Sequence, residues 1–272
     1  MKSGTARRDG VELAFDIDGE GPDLLMIVGT ASTRALWALV RPELARHFRT
    51  IAFDNRDSGE STIVDDAYTL HDLALDVAAV AQAAGAQRPH VLGHSMGGAI
   101  AQAFALEFPS ALASLTLVCS WARNDAYSRN VFDLMLELTR TISVDRALLS
   151  AILFAGAGVT TVRTTSLDEM TDAAMALGPL APRAALERQW RVDKSVDVLD
   201  RIGSLQLPVH VISGTEDRLL PPWHSEQLAH AVPHAHLSRI HDAGHVPMVH
   251  APEAFVACFE AFIERLDTRT TA

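Results

Sequence analysis

The segment Gly93-His94-Ser95-Met96-Gly97-Gly98 places a hydroxyl between two glycines with the spacing G-x-S-x-G. It joins an apolar run typical of a strand to a pattern typical of a helix. Glycines two positions on either side leave room for a tight turn, which would lift the Ser95 hydroxyl above a sheet. The free N–H groups of the helix N-terminus would favour negative charge there. The motif predicts Ser95 as a nucleophile, with a glycine-rich turn that has no chemistry as the alternative.

A serine nucleophile needs a general base, and the chain contains 12 histidines. His245 lies in the segment 242–247, between the last predicted strand and the last predicted helix. Gly244 would permit an unusual backbone angle that turns the imidazole back over the sheet edge. We expect His245 to be the base. The competitor is His250, which lies where the final helix is about to begin.

The base needs a carboxylate that fixes its tautomer and stabilises the imidazolium. Asp217 follows directly on the predicted strand 209–212 and gives the chain order Ser, Asp, His. Glu216 and Asp125 are alternative acids. Asp217 could also be a turn residue that caps the next helix.

The elements that must position these residues alternate along the chain. Apolar runs predict strands at 11–17, 24–28, 50–53, 89–92, 114–118, 209–212 and 236–240, and helical patterns occur at 36–48, from 69, and at 95–108, 223–231 and 253–266. This order predicts an α/β fold with a doubly wound, mostly parallel sheet and right-handed crossovers.

Residues 122–203 break the alternation, because only helical patterns occur there. We predict a helical cap, or lid, inserted late in the sheet over the carboxyl ends of the strands, where such folds bind ligands. The core would then consist of residues 1–121 and 204–272. A small packing subdomain with no role in the site is the alternative.

Composition narrows the class of partner. Lys and Arg number 23 against 34 Asp and Glu, so the net charge of −11 argues against nucleic-acid and anionic-membrane partners. Two cysteines without a CxxC spacing exclude a disulfide framework and a cysteine zinc site. With no P-loop and no G-x-G-x-x-G pattern, we expect neither cofactor nor metal. The polar N-terminus and the short apolar run 24–28 predict a soluble, cytoplasmic protein.

The chain resembles the α/β-hydrolase superfamily over nearly all of its length outside the helical insertion. The segments that carry the resemblance are 93–98, Gly214-Thr215-Glu216-Asp217, Asp242-Ala243-Gly244-His245 and Asp54-Asn55-Arg56-Asp57-Ser58-Gly59-Glu60-Ser61. Within the superfamily the chain looks like the small esterases, methylesterases and enol-lactonases with a helical cap. The resemblance implies Ser95 as nucleophile, His245 as base and Asp217 as acid.

It also implies an oxyanion hole made of two backbone N–H groups. One would belong to Met96, and the other to the loop after the strand 24–28, where Thr30 is our choice and Ala31 the fallback. Many relatives have His-Gly in this loop, whereas this chain reads Val28-Gly29-Thr30-Ala31-Ser32. Asp57 also stands where many relatives have glycine.

These residues predict a serine hydrolase that cleaves a carboxylic ester or lactone of a small, largely apolar molecule through an acyl-enzyme on Ser95. A serine argues against the dehalogenase and epoxide-hydrolase branches, because a carboxylate nucleophile forms an alkyl ester in those reactions. C–C bond hydrolysis and cofactor-free perhydrolysis use the same triad and remain alternatives. A non-catalytic ligand-binding module is an alternative of another class, although a pure binder need not keep all three residues.

Overall fold

The computed structural model describes residues 1–270 of the chain, so the last two residues of the predicted core segment 204–272 lie outside the described residues. Its strands are β1 (Lys2–Arg8), β2 (Val11–Asp18), β3 (Asp23–Ile27), β4 (Arg49–Phe53), β5 (His90–His94), β6 (Ser114–Val118), β7 (Val209–Gly214) and β8 (His236–Ile240). They form one sheet in the order β1-β2-β4-β3-β5-β6-β7-β8. β2 pairs antiparallel with β1 and with β4, and all other pairs are parallel. The predicted α/β class with a mostly parallel sheet is confirmed.

The helices of the described residues are α1 (Arg41–Leu44), α2 (Leu70–Ala83), α3 (Met96–Glu107), α4 (Ala126–Thr141), α5 (Arg146–Gly156), α6 (Val159–Thr164), α7 (Leu167–Met175), α8 (Arg183–Ser195), α9 (Leu199–Ile202), α10 (Pro222–Ala231), α11 (Pro247–His250) and α12 (Pro252–Thr270). A short 3₁₀ helix spans Arg34–Trp37. No helix of the described residues is long and apolar enough to cross a membrane.

Both faces of the central strands are buried, which explains why these strands are continuous apolar runs. Along β3, Leu25 and Ile27 belong to the core beneath α2 and α3. Leu24 and Met26 belong to a second core on the opposite face, together with residues of α12. Successive side chains of a strand point to opposite faces. The sheet is therefore covered on both sides and its functional edge is the row of carboxyl ends.

Two parts of the chain differ from the sequence pattern. Residues 2–8 form an edge strand that hydrophobic patterning does not predict, because an edge strand with one buried side chain, Ala6, can be polar elsewhere. The predicted helix 36–48 is wrong as one element. It is divided into the 3₁₀ helix and the short α1, with Pro42 near the start of α1.

Helices α4 to α9 lie between β6 and β7, and we call residues 122–203 the helical insertion. Three aromatic side chains pack the insertion against the segment that follows β6. Phe132 of α4 lies 5.2 Å from Trp121 and 6.3 Å from Trp190 of α8, measured between ring centroids. All three side chains are buried. This contact fixes α8 against the core, near the carboxyl ends of β3 and β5.

Candidate active site

Ser95 lies at the turn between β5 and α3, with φ 54° and ψ −123°. Few residues with a side chain adopt a positive φ, and such strain is typical of functional turns. A Cβ at Gly93 would lie 2.3 Å from the Gly97 carbonyl oxygen, and a Cβ at Gly97 would lie 2.3 Å from that of Ile27. The two glycines are therefore required by close backbone approach. The Ser95 N–H donates to the carbonyl oxygen of Val118 and holds the turn at the sheet edge.

The structure brings the three predicted residues into one hydrogen-bonded row. The Ser95 Oγ lies 2.9 Å from His245 Nε2, and His245 Nδ1 lies 2.8 Å from Asp217 Oδ2. The other carboxylate oxygen of Asp217 accepts the backbone N–H groups of Leu219 and Leu220, both at 2.9 Å. Because Nδ1–H then donates to Asp217, Nε2 is left to accept the serine proton.

The alternative acids make other contacts. Glu216 accepts the backbone N–H and the hydroxyl of Thr160 at 2.6 and 2.9 Å, at the start of α6. Asp125 is the N-cap of α4 and accepts the Ser128 N–H at 2.8 Å. Among the described residues, neither carboxylate forms a hydrogen bond with His245. Asp217 is the acid that the geometry supports.

The helical insertion holds the loop that carries His245. The backbone N–H of His245 donates to the Gly156 carbonyl oxygen at 2.7 Å. Within the loop, the Gly244 N–H donates to His250 Nδ1 at 3.0 Å. The φ of Gly244 is not positive, so the expected unusual backbone angle is wrong. Glycine is required there because a Cβ would lie 2.4 Å from the backbone nitrogen of Gly158.

His94 is a residue that sequence reasoning missed. Its Nε2–H donates to the His245 carbonyl oxygen over 2.8 Å, and the two rings lie 4.9 Å apart. Burial, with the nearby His245 as a second cause, lowers the pKa of His94 to about 3, so the ring is neutral at physiological pH. The available signal was its place directly before Ser95, at the end of β5.

The two expected oxyanion donors differ in their surroundings. Met96 is the first residue of α3, so its N–H has no acceptor within the helix. The Ala31 N–H donates to Gln189 Oε1 at 2.9 Å and is occupied. In the part of the chain that the structure describes, the Thr30 N–H has no acceptor. The geometry favours Thr30 over Ala31.

Helix α8 contacts both loops beside the site, which the sequence did not indicate. Gln189 Nε2 donates to the Asp57 carbonyl oxygen and to Ser58 Oγ, at 3.1 and 2.9 Å. Arg188 forms a two-pronged ion pair with the buried Asp57 carboxylate, at 2.7 and 2.9 Å. Asp57 has φ 66°, a left-handed backbone conformation that few residues with a side chain adopt. Its carboxylate gives α8 a charged partner in the core.

Among residues 1–270, one group of side chains has the spacing that a metal ion would need. Ligand atoms of Cys119, Asp217 and His245 lie within 4.8 Å of one another. Burial, reinforced by the Asp217 charge, raises the pKa of Cys119 well above its usual value, so the thiol keeps its proton. A metal would need the thiolate and would have to replace the hydrogen bond between Asp217 and His245. The arrangement fits a proton-transfer site better than a metal site.

Known proteins resemble this chain in sequence and in fold. A relative from Variovorax paradoxus, named "Putative carbamate hydrolase RutD", is 29% identical over 265 residues, covering 93% of this chain and 97% of the relative. A thermophilic esterase from Thermogutta terrifontis is 25% identical, with a TM-score of 0.86 over 97% of this chain and 99% of its own. The enol-lactonase from Burkholderia xenovorans LB400 shares the fold, with a TM-score of 0.86, 22% identity and coverage of 96% and 100%.

The family model described as "alpha/beta hydrolase fold" matches residues 22–252, which include Ser95, Asp217 and His245. This range contains six of the eight strands that the structure describes, β3 to β8, and leaves out β1 and β2. The matched segment covers most of the chain. Its relatives are named as hydrolases and esterases, and the chain belongs to the α/β-hydrolase fold family.

Proposed function

We propose that this protein is a serine hydrolase that cleaves a carboxylic ester or lactone of a small, largely apolar substrate through an acyl-enzyme on Ser95. The observation that carries the proposal is the hydrogen-bonded row of Ser95, His245 and Asp217. These three residues come from the ends of three different strands. Buried side chains of these types in this order have few structural uses, whereas acyl transfer requires all three.

In the acylation step, Ser95 Oγ attacks the substrate carbonyl carbon while His245 Nε2 takes its proton. Asp217 stabilises the imidazolium through Nδ1–H. The tetrahedral intermediate collapses as His245 returns the proton to the leaving alkoxide, so an alcohol departs and the acyl group stays on Ser95. With a lactone, the alcohol remains attached to the acyl group.

In the deacylation step, a water molecule takes the place of the alcohol. His245 removes a proton from the water as its oxygen attacks the acyl carbon, and then gives that proton to Ser95 Oγ. The products are a carboxylic acid and the original enzyme. No cofactor enters either step.

The negative oxygen of both intermediates would be held by the N–H groups of Met96 and Thr30. Two features support this assignment: the position of Met96 at the first turn of α3, and the lack of an acceptor for the Thr30 N–H among the described residues. Removal of one such donor typically costs about 10²–10³ in kcat.

We further propose that the helical insertion, residues 122–203, acts as a cap on the site. The bond from the His245 N–H to the Gly156 carbonyl oxygen supports this role, because it joins the insertion to the base itself. The contact of Gln189 with Ala31 joins the insertion to the loop after β3, and its contact with Ser58 joins it to the segment after β4. A packing subdomain with no role in the site would not need these bonds.

The experiment is labelling with a fluorophosphonate probe, which reacts with activated serines. We expect the wild type to be labelled and Ser95→Ala to be unlabelled, with the exposed Ser204→Ala variant as a matched control that labels normally. A panel of aryl esters, lactones, carbamate esters and dienoate-type diketones, with and without peroxide, then ranks the substrate classes. Labelling that persists in Ser95→Ala would remove Ser95 from the mechanism. Faster turnover of the diketone than of any ester would contradict ester hydrolysis as the function and would indicate C–C bond hydrolysis instead.

A further inference from the structure

Asp193 of α8 carries a buried carboxyl group that the proposed reaction does not use. Its side chain is 1% exposed. The Oδ2 atom lies 2.6 Å from the Thr30 hydroxyl, whereas Oδ1 has no partner in the part of the chain that the structure describes. An ionised carboxylate in such a place would lack most of the hydrogen bonds that a buried charge needs. The question is therefore which protonation state of Asp193 suits these surroundings.

The hydrogen bonds of the Thr30 hydroxyl indicate the protonation state of Asp193. The Thr30 hydroxyl lies within reach of two acceptors, Asp193 Oδ2 at 2.6 Å and Met96 Sδ at 3.2 Å. A hydroxyl has one proton and can donate to only one of them. If the carboxyl is neutral, its own O–H donates to Thr30 Oγ1, and the Thr30 proton is free for the Met96 sulfur. With a neutral Asp193, each of the two protons in this row has an acceptor, and the partnerless Oδ1 is a carbonyl oxygen without a full charge.

The charges around Asp193 favour the same state. On α8, Arg188 pairs with Asp57, Arg191 with Glu187 and Lys194 with Asp133. Arg183 donates to the backbone carbonyl oxygens of Thr139 and Ile142, so all four cations of this helix bind groups other than the Asp193 carboxyl. Asn124, in the segment after β6, also contacts Asp193. Its uncharged side-chain amide donates to the backbone carbonyl oxygen of Asp193 at 2.8 Å.

From the core, the groups that touch the carboxyl or its partner are the hydroxyl of Thr30 and the thioether of Met96, neither of which is charged. Thr30 and Met96 are also the residues whose N–H groups are assigned to the oxyanion. A carboxylate attached to this row would oppose the negative charge that develops in the transition state.

We propose that Asp193 is a positioning residue for the oxyanion hole, kept as a neutral carboxylic acid that donates to Thr30 Oγ1 and so fixes the Thr30 loop without adding negative charge. The inference rests on the proposed function for its catalytic consequence, but not for the protonation state itself. Burial raises the pKa of Asp193 to about 8, which agrees with a neutral group at pH 7.

The protonation state is tested by stability, independently of activity. The unfolded chain loses the Asp193 proton above about pH 4, whereas the folded protein keeps it to about pH 8. The wild type therefore loses stability relative to Asp193→Asn as pH rises through this window. We expect the ratio of their unfolding equilibrium constants to change by about tenfold per pH unit between pH 5 and 7.5. A ratio that stays constant would overturn the proposal, because it would mean an ionised carboxyl.

The positioning role is tested by the pH dependence of kcat. Asp193→Asn keeps a neutral donor, so we expect kcat at pH 7 within about threefold of the wild type and no decline above pH 8, where the wild type loses activity. Asp193→Ala removes the donor, and we expect kcat to fall about 10–100-fold with little change in KM. Thr30→Val should fall similarly, and Thr30→Ser should retain activity. An inactive Asp193→Asn at pH 7 would show that the charge is required and would overturn the proposal.

The two proposals fail in distinguishable ways. If Ser95 is not the nucleophile, either the wild type is unlabelled by fluorophosphonate or Ser95→Ala stays labelled, while the stability ratio still reports on Asp193. If the wild type is labelled and the stability ratio is flat, only the role of Asp193 is lost.

Discussion

The imidazole of His94 donates to the backbone carbonyl oxygen of His245, 151 positions further along the chain, over 2.8 Å. The residue before the candidate nucleophile thus holds the candidate base. Two hydrogen bonds hold the backbone of His245. Its N–H donates to Gly156 of the helical insertion, and its carbonyl oxygen accepts from His94 of β5. The distance between Ser95 and His245 is therefore set by backbone contacts as well as by their own hydrogen bond.

This relationship predicts the effect of replacing His94. We expect His94→Ala to lower kcat about 10²-fold, because a displaced base costs orientation and the His245 carbonyl oxygen is left without its partner. His94→Gln should keep most of the activity, since the amide can donate from a similar position. Steady-state kinetics of both variants, with circular dichroism as a folding control, make the measurement. Equal activity of His94→Ala and the wild type would contradict this role.

The choice of acid is tested by isosteric amides. We expect Asp217→Asn to reduce kcat about 10⁴-fold, because the amide favours the wrong imidazole tautomer. Glu216→Gln and Asp125→Asn are the matched controls and should stay within about tenfold of the wild type, since their carboxylates bind Thr160 and Ser128. An active Asp217→Asn alongside an inactive Asp125→Asn would move the acid to the segment after β6.

The acidic limb of the pH profile should belong to His245. A general base must be unprotonated to accept the serine proton, so kcat/KM should fall on the acidic side of the profile with the slope of one proton. Burial lowers the pKa of His250 to about 4, so its ring is neutral near neutral pH. We expect His245→Ala to be inactive at every pH and His250→Ala to retain the limb. Loss of the limb in His250→Ala would reverse the assignment.

The ion pair between Arg188 and Asp57 should matter for stability. Asp57 is fully buried, so Arg188→Ala leaves an unpaired charge and should cost about 3–5 kcal/mol in the free energy of unfolding. Asp57→Gly in the same protein should recover most of this loss, because it removes the charge and suits the φ of 66°. Urea denaturation of the single and double variants measures both effects. A double variant as unstable as Arg188→Ala would contradict the explanation.

Buried neutral histidines should make the fold sensitive to acid. Burial lowers the pKa of His210 to about 3, and its Nε2 lies 2.9 Å from Ser238 Oγ. Below about pH 6.5, His210 binds a proton in the unfolded chain but stays unprotonated in the folded protein. The free energy of unfolding therefore falls by up to about 1.4 kcal/mol per pH unit, until the folded group also titrates. His210→Gln should remove this contribution to the slope between pH 6 and 4, while His94 and His250 keep theirs. A free energy of unfolding with the same pH slope in both proteins would exclude the effect.

Much of the site could be predicted from local sequence. The spacing of Gly93, Ser95 and Gly97 follows from backbone crowding within one turn, so it is visible without the rest of the protein. The apolar runs of the central strands reflect burial on both faces, and the strands predicted at 114–118 and 236–240 have those bounds in the structure. The order Ser95, Asp217, His245 follows from the order of the strands that carry them.

Only the tertiary structure decided which groups meet these residues. Gln189 occupies the Ala31 N–H and Asp193 reaches Thr30, across 158 and 163 positions of the chain. Neither residue stands in a recognisable motif, because such contacts depend on how α8 packs and leave no periodic trace. The edge strand 2–8 was missed for the same reason, since its pairing with β2 comes from backbone hydrogen bonds, which almost any side chains permit.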